Sequence, residues 1–407
     1  MIDPPQSPAP MARQMSVRSV IEAVLHRGPI SRAELARITG LSKQTTSEVV
    51  RALEESGFVR VQGQTQGAVG RSALTYEMQR DVAFVAGVDL GGTKIHVAVA
   101  NIVGDVVTEI VEPTDRRGGV HVVGQIAAMI DRLMQEIGVP RSALRCVALG
   151  SPGVFDARSG SISIAPNIPG LDAFNVAEAL EKALRCKAII ENDVNLAAKG
   201  EHWRGCGAGR QSFAFVALGT GIGMGLVVNG QIVSGAHGAA GEIAYLPIGG
   251  DPFDSRGNRF GVLETAIGSA AILDRYVGLG GAGATNVRDL FDRLKDNDAA
   301  AATTLDETAR ILCVALMAIR AIVDPELVVL GGSIGARVEL VERVQALATR
   351  HMPAPLRIER SALGSRAAIV GAIGIALTAL HDSLFGLTGL QGDFALPAAP
   401  AAAQGAV

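Results

Sequence analysis

The sequence predicts two folded parts in series: an all-α head with a β-hairpin wing, a winged helix-turn-helix, followed by a duplicated two-lobed α/β domain with a cleft between its halves. Three observations carry this. Short apolar-periodic segments separated by turn signals fill residues 16–53. A unit of strand, Gly-Thr turn and strand occurs at 84–100 and again at 213–228. The chain has 407 residues, 48% hydrophobic and 19% charged, enough for two or three apolar cores at roughly 100 to 200 residues per domain.

Residues 1–15, rich in Pro, Ala and Ser, are expected to be disordered, as is the Ala/Pro tail 387–407. The head then spans 16–80. Val17, Val20, Ile21, Val24 and Leu25 recur at helical spacing until Gly28-Pro29 ends the helix. Ser31-Arg32-Ala33-Glu34 is a capping-box pattern for a short second helix with Leu35 and Ile38 inward, and Thr39-Gly40 is a tight turn. Leu41-Ser42 opens a third helix whose buried side carries Val49, Val50 and Leu53. Its N-terminal end exposes Ser42, Lys43, Gln44, Thr45 and Ser47. Gln pairs with adenine, hydroxyls reach bases or phosphates, and Lys neutralises phosphate, so this end, with Ser31 and Arg32, suits a DNA major groove. Two runs, 58–61 and 74–78, read as a hairpin wing whose tip carries Arg71. The alternative is a small helical domain that docks on the rest of the chain.

In the α/β part, 81–386, strands are expected at 84–90, 95–100 and 106–111, with the second copy at 213–218 and 224–228. Gly-rich turns after strands bring backbone N–H groups close to a phosphate, since glycine has no Cβ to block approach. Three such turns stand here: Asp89, Gly91, Gly92, Thr93 and Lys94; Gly219, Thr220 and Gly221; and Gly331 and Gly332. Together they point to a nucleotide, with Asp89 able to hold Mg²⁺ through water; the alternative is that they are only tight turns. After the apolar strand 187–190 comes Glu191-Asn192-Asp193. A carboxylate there is placed to accept a proton from a substrate hydroxyl, which makes Asp193 a candidate general base. Asp193 could equally cap the helix that follows.

Composition narrows the classes further. Mean hydropathy is +0.30, and 211–241 runs 31 residues without a formal charge but contains eight glycines, which suits strands broken by turns better than a membrane span. The N-terminus lacks a basic and apolar leader, so a cytoplasmic protein is expected. Four cysteines, 146, 186, 206 and 313, include no C-x-x-C pair, which fits reduced thiols and no metal framework. The net charge of −3 hides an asymmetry: residues 1–80 hold ten Lys+Arg against seven Asp+Glu, and the rest 27 against 33. A head of +3 is compatible with DNA, although base contacts and dimerisation must then supply much of the affinity.

Read together, these residues resemble the ROK family of sugar-responsive repressors and sugar kinases over nearly the whole chain. The matching segments are Asp89-Leu90-Gly91-Gly92-Thr93, Gly150-Ser151-Pro152-Gly153, Ala165-Pro166-Asn167-Ile168-Pro169-Gly170, Glu191-Asn192-Asp193, 218–223 and Gly238-Ala239-Ala240-Gly241-Glu242; residues 28–36 and 41–43 resemble the DNA-reading domain of the family's repressors. The resemblance implies an actin-like (ribonuclease H-like) two-lobed α/β fold. It also implies that Asn167, Asn192, Asp193, Glu242 and Glu264 contact sugar hydroxyls, with Asp193 as base in the kinases. Glu264 could instead be a carboxylate at a helix N-terminus.

The departure from the family is equally specific. Most members carry a zinc site of one His and three Cys; the corresponding positions here are Tyr245, Ser255, Gly257 and Val262. No zinc is expected, and packing of Phe253, Phe260 and Val262 is expected to hold the loop. Tyr245 offers its hydroxyl in place of the His, with altered sugar specificity and weakened phosphoryl transfer.

The function expected is a DNA-binding regulator, a repressor of carbohydrate metabolism whose ROK domain senses a sugar or sugar phosphate. It would act on operator DNA as a homodimer or higher homo-oligomer, without a membrane. The alternatives are a hexose or amino-sugar kinase with a DNA-binding extension, which alone would need ATP and Mg²⁺, and a DNA-bound scaffold with a vestigial cleft.

Overall fold

A computed structural model describes residues 11–64, 73–155, 159–163, 168–352, 354, 356–385 and 396–397. The first helix, Met11–Arg27, begins before the residue expected, because Met11-Ala12-Arg13-Gln14-Met15 contains good helix formers and no Pro. The next two are Arg32–Thr39 and Lys43–Glu55. Ser31 caps the former by accepting from Glu34 N–H, while the Glu34 carboxylate turns to Arg37 instead of completing the capping box. Ile30–Ser31 pairs with Leu74–Met78, which pairs in turn with Val59–Gln64. Leu35, Val49, Val50, Leu53, Tyr76 and Met78 are buried. The wing tip with Arg71 lies outside the described residues.

Two compact units make up the chain. One comprises residues 1–151, 157–191 and 372–407, the head included; the other comprises 152–156 and 192–371. Each holds a five-stranded sheet. In the first the order is Lys187–Asn192, Leu144–Ser151, Phe84–Leu90, Lys94–Asn101, Val106–Pro113. In the second it is Ile358–Arg360, Leu327–Gly331, Phe213–Leu218, Ile222–Val228, Gln231–Ile232. Numbered by appearance within each copy, both read 5-4-1-2-3. In both, the central strand runs antiparallel to its successor and parallel to its other neighbour. The repeat legible as two Gly-Thr turns is thus a duplication of the whole sheet, the topology of the actin-like fold.

Glycines at 223 and 225 are not turn residues but lie inside Ile222–Val228. A Cβ on Gly225 would stand 2.7 Å from the Val194 carbonyl oxygen, and one on Gly223 would press on the Val194 side chain. Their absence of side chain lets the helix Asp193–Arg204 sit directly on the strand. The C-terminal helical stretch Gly364–Leu384, which contains the helix Ala367–Leu384, is long and apolar enough to cross a membrane, yet 61% of an apolar 18-residue window in it is buried within the protein. Its buried positions include Ile369, Ile373, Leu377 and Leu380, as a core helix requires.

Candidate functional site

The head presents the helix Lys43–Glu55 with Ser42 as N-cap. Ser42 Oγ accepts from Thr45 N–H at 3.0 Å, its hydroxyl meets that of Thr45 at 2.8 Å, and Thr46 turns inward to donate to the Ser42 carbonyl. Ser42, Lys43 and Gln44 are exposed, and Thr45 and Ser47 partly so. Gln44 donates to Glu48 at 3.0 Å, a pairing that a base edge would have to replace. Arg32 lies over the Tyr76 ring, 4.9 Å from its centroid, and 3.6 Å from Glu54, so it braces the second helix against the wing. Ser31 is similarly occupied as a cap.

In the second unit three carboxylates gather. Asn192, not Asp193, caps the helix Asp193–Arg204: its Oδ1 accepts from Val194 and Asn195 N–H at 2.9 and 3.1 Å, and its Nδ2 donates to the Gly153 carbonyl at 3.1 Å. Both residues are good caps, and the chain turns into the helix one residue earlier than the alternative reading required. That cap leaves Asp193 as the first helical residue. Burial pushes the Asp193 carboxyl up from its ordinary range, against the pull of two backbone N–H groups. Glu242 is raised by burial and then by the charge of Asp193, and Glu264 by burial and by Glu242. Glu264 stands in the first turn of the helix Val262–Ile267, a carboxylate at a helix N-terminus, and also accepts from Ile222 N–H at 3.1 Å, so that it faces the Gly turn. A Cβ on Gly221 would lie 2.1 Å from its Oε2, which explains glycine there. Asn167 lies outside the described residues.

Because folding raises these carboxyls, the folded state binds protons more readily than the unfolded one. Their charged forms therefore cost stability above the raised values, and the cost fades as pH falls toward the ordinary range. Glu242→Gln is expected to melt higher than the unaltered protein at pH 7, with the difference vanishing near pH 4, about the ordinary glutamate value. Thermal melts across that window check it; a lower melting point at pH 7 would contradict the electrostatic origin.

Two of the three Gly turns lie side by side in this unit. Gly219 N–H donates to the Gly221 carbonyl, and the Leu218 carbonyl accepts from Ile334 and Gly335 N–H, joining the turn at Gly219, Thr220 and Gly221 to the one at Gly331 and Gly332. Gly332 has φ +79, and a Cβ on it would stand 2.3 Å from the Leu218 oxygen. Asp89, Gly91, Gly92, Thr93 and Lys94 belong to the first unit, with Gly92, Thr93 and Lys94 exposed and Lys94 the first residue of its strand. Thr114 donates to the Gly91 carbonyl at 2.7 Å and fixes that turn.

At the positions where the resemblance implies zinc ligands, Gly257 and Val262 touch, a Cβ on the former falling 3.0 Å from Val262 Cγ2. With Tyr245 and Ser255 they offer neither thiolate nor imidazole, and the residues do not fit zinc. The expected aromatic packing is corrected. Val262 is buried, but Phe253 is 89% exposed and Phe260 46%. Polar turns order the segment instead: Asp251 accepts from Phe253 N–H, and Asp254 caps the helix Ser255–Phe260 by accepting from Arg256 N–H. Tyr245 is 47% exposed.

Sequence reasoning missed Glu201. It lies two turns beyond Asp193 on the same helix, fully buried. Its carboxylate accepts from Ser361 Oγ at 2.5 Å, Leu363 N–H at 3.0 Å and Cys206 N–H at 2.8 Å. An acid among Leu196, Ala197, Ala198 and Gly200 was the available signal.

The family model named ROK matches residues 85–379. The chain belongs to the ROK family. A second model, of the MarR family, matches residues 16–71, the head. Among ROK relatives, a glucokinase of Halalkalibacterium halodurans is 33% identical over 266 residues, 61% of this chain and 79% of that one. A xylose repressor of Caldicellulosiruptor bescii is 24% identical over 390 residues, 90% of this chain and 96% of its own. The crystal structure of a ROK family transcriptional regulator, a homologue of the Escherichia coli MLC protein, aligns with TM-score 0.73 at 20% identity, covering 92% of this chain and 98% of that one. It shares the fold with the head included.

Proposed function

We propose that this ROK protein is a sugar-responsive DNA-binding transcriptional repressor. The observation that carries it is the joining, in one chain, of a MarR-type head at 16–71 to a ROK body whose Asp193, Glu242 and Glu264 gather in one unit. Carboxylates flanked by amide groups suit a polyol, whose hydroxyls both donate and accept. Operator DNA would meet Lys43, Gln44, Thr45 and Ser47, and a sugar or sugar phosphate would bind at the carboxylates with Tyr245. The protein would act in the cytoplasm, as a homodimer matching a two-fold operator, and without zinc.

A mobility-shift titration of the full chain on operator DNA selected from random duplexes, with D-glucose, D-xylose and N-acetyl-D-glucosamine and their 6- or 5-phosphates, tests this. One of them is expected to change operator affinity; no change across the panel would remove the sensing role. The kinase reading has one observation in its favour, a raised Asp193 carboxyl in the unit that also holds two Gly turns. In that reading Gly219, Thr220, Gly331 and Gly332 would hold ATP phosphates and ATP would supply the phosphoryl group. ADP release over the same panel, lost in Asp193→Ala, would promote it.

A further inference from the structure

The helix that begins at Asp193 meets the C-terminal helix backbone to backbone. A Cβ on Gly200 would lie 2.1 Å from the Ala367 carbonyl oxygen, and one on Gly371 1.8 Å from the Leu196 carbonyl oxygen. That contact exists only because both residues are glycine. Glu201 fastens the same helix to Ser361 and Leu363, just ahead of Ala367. From Ala367 the second helix runs unbroken for 18 residues, and the boundary between the two compact units falls within it, after Gly371.

At its far end this helix reaches the head. The buried His381 donates from Nε2 to the Ile102 carbonyl at 2.8 Å, and burial pushes its pKa down to about 4, so the contact does not change charge near neutrality. Phe385, next beyond the helix, sets its ring edge-on against Phe58, with centroids 5.3 Å apart and planes at 70°. Both rings are buried. Phe58 is where the recognition helix joins the wing: its N–H donates to the Leu53 carbonyl at 2.9 Å, and its carbonyl accepts from Gln79 N–H at 2.8 Å.

We propose that these two helices, joined at Gly200 and Gly371 and ending on the Phe385–Phe58 contact, are the element through which occupancy at Asn192 and Asp193 changes the DNA reader, with Phe58 and Phe385 as positioning residues. Close-packed backbone contacts transmit a shift rather than absorb it. The inference rests on the sugar-sensing reading above, and only a coupling measurement separates it from mere contiguity.

The test uses the full chain and the selected operator duplex. Operator affinity is measured by fluorescence anisotropy with and without saturating D-glucose, D-xylose or N-acetyl-D-glucosamine, and sugar affinity by calorimetry. In the unaltered protein the active sugar is expected to shift operator affinity about tenfold or more, a common size for such coupling. In Phe385→Ala the shift is expected to fall below about twofold while sugar affinity stays within about twofold. If that variant is unfolded by circular dichroism, Phe385→Leu fills the space without the ring edge and takes its place. In the unaltered protein, sugar is also expected to change hydrogen-exchange protection across residues 53–64. A full shift retained in the variants, or protection at 53–64 unmoved by sugar, overturns the proposal alone. No shift in the unaltered protein overturns the sensing reading and this proposal with it.

Discussion

Glu201→Ala is expected to lower folding stability by about 3–5 kcal/mol, among the largest effects of any single polar substitution in the chain. The carboxylate is fully buried and accepts three hydrogen bonds, from Ser361 Oγ, Leu363 N–H and Cys206 N–H. Truncation leaves all three donors without an acceptor, at about 1–3 kcal/mol each before relaxation, and opens a void besides. Glu201→Gln keeps one oxygen but turns an amide N–H₂ toward a donor, so about 1–2 kcal/mol is expected, less than for Ala. Urea midpoints at constant m-value, followed by probes in the unit containing residues 192–371, measure both. An Ala variant less than about 1 kcal/mol below the unaltered protein would show that the segment at Ser361 relaxes freely and that Glu201 does not hold the Asp193 helix in place.

The contrast between Glu201 and Asp193 shows what local sequence reveals. Asp193 stood out as a candidate because a carboxylate after an apolar strand matches a family motif. The partners of Glu201 include a hydroxyl 160 residues away, a distance no local pattern spans. The head was read nearly element for element, since caps, Gly turns and apolar spacing act within a few residues. Asn192 and Asp193 are both good cap formers, and residue preference alone does not choose between them. Phe253 and Phe260 misled for a related reason: apolar character favours burial without saying where a facing surface exists, and both remain exposed. Gly223 looked like a turn residue because a glycine spared for a neighbouring helix and one spared for a positive φ are the same letter.

Gln44→Ala and Lys43→Ala are expected to weaken operator binding in distinguishable ways. Gln44 is exposed at the start of the helix Lys43–Glu55, and its side chain donates to Glu48 on the next turn. Released to an adenine edge it makes a bidentate contact worth about 1–3 kcal/mol of discrimination, so its loss should cost about 5- to 150-fold on the operator and little on unrelated DNA. Lys43, also exposed, carries charge alone. Its removal should weaken operator and unrelated DNA alike and reduce the slope of log affinity against log salt by about 0.9 per reader engaged. In a two-fold complex the slope would change by about twice that, so the same titration reports how many heads bind. Anisotropy titrations at several salt concentrations on operator and scrambled duplexes separate the two. If Gln44→Ala weakened both duplexes equally, base reading would have to move to Thr45 or Ser47. Because the head carries only +3, such base contacts must supply most of the preference for the operator.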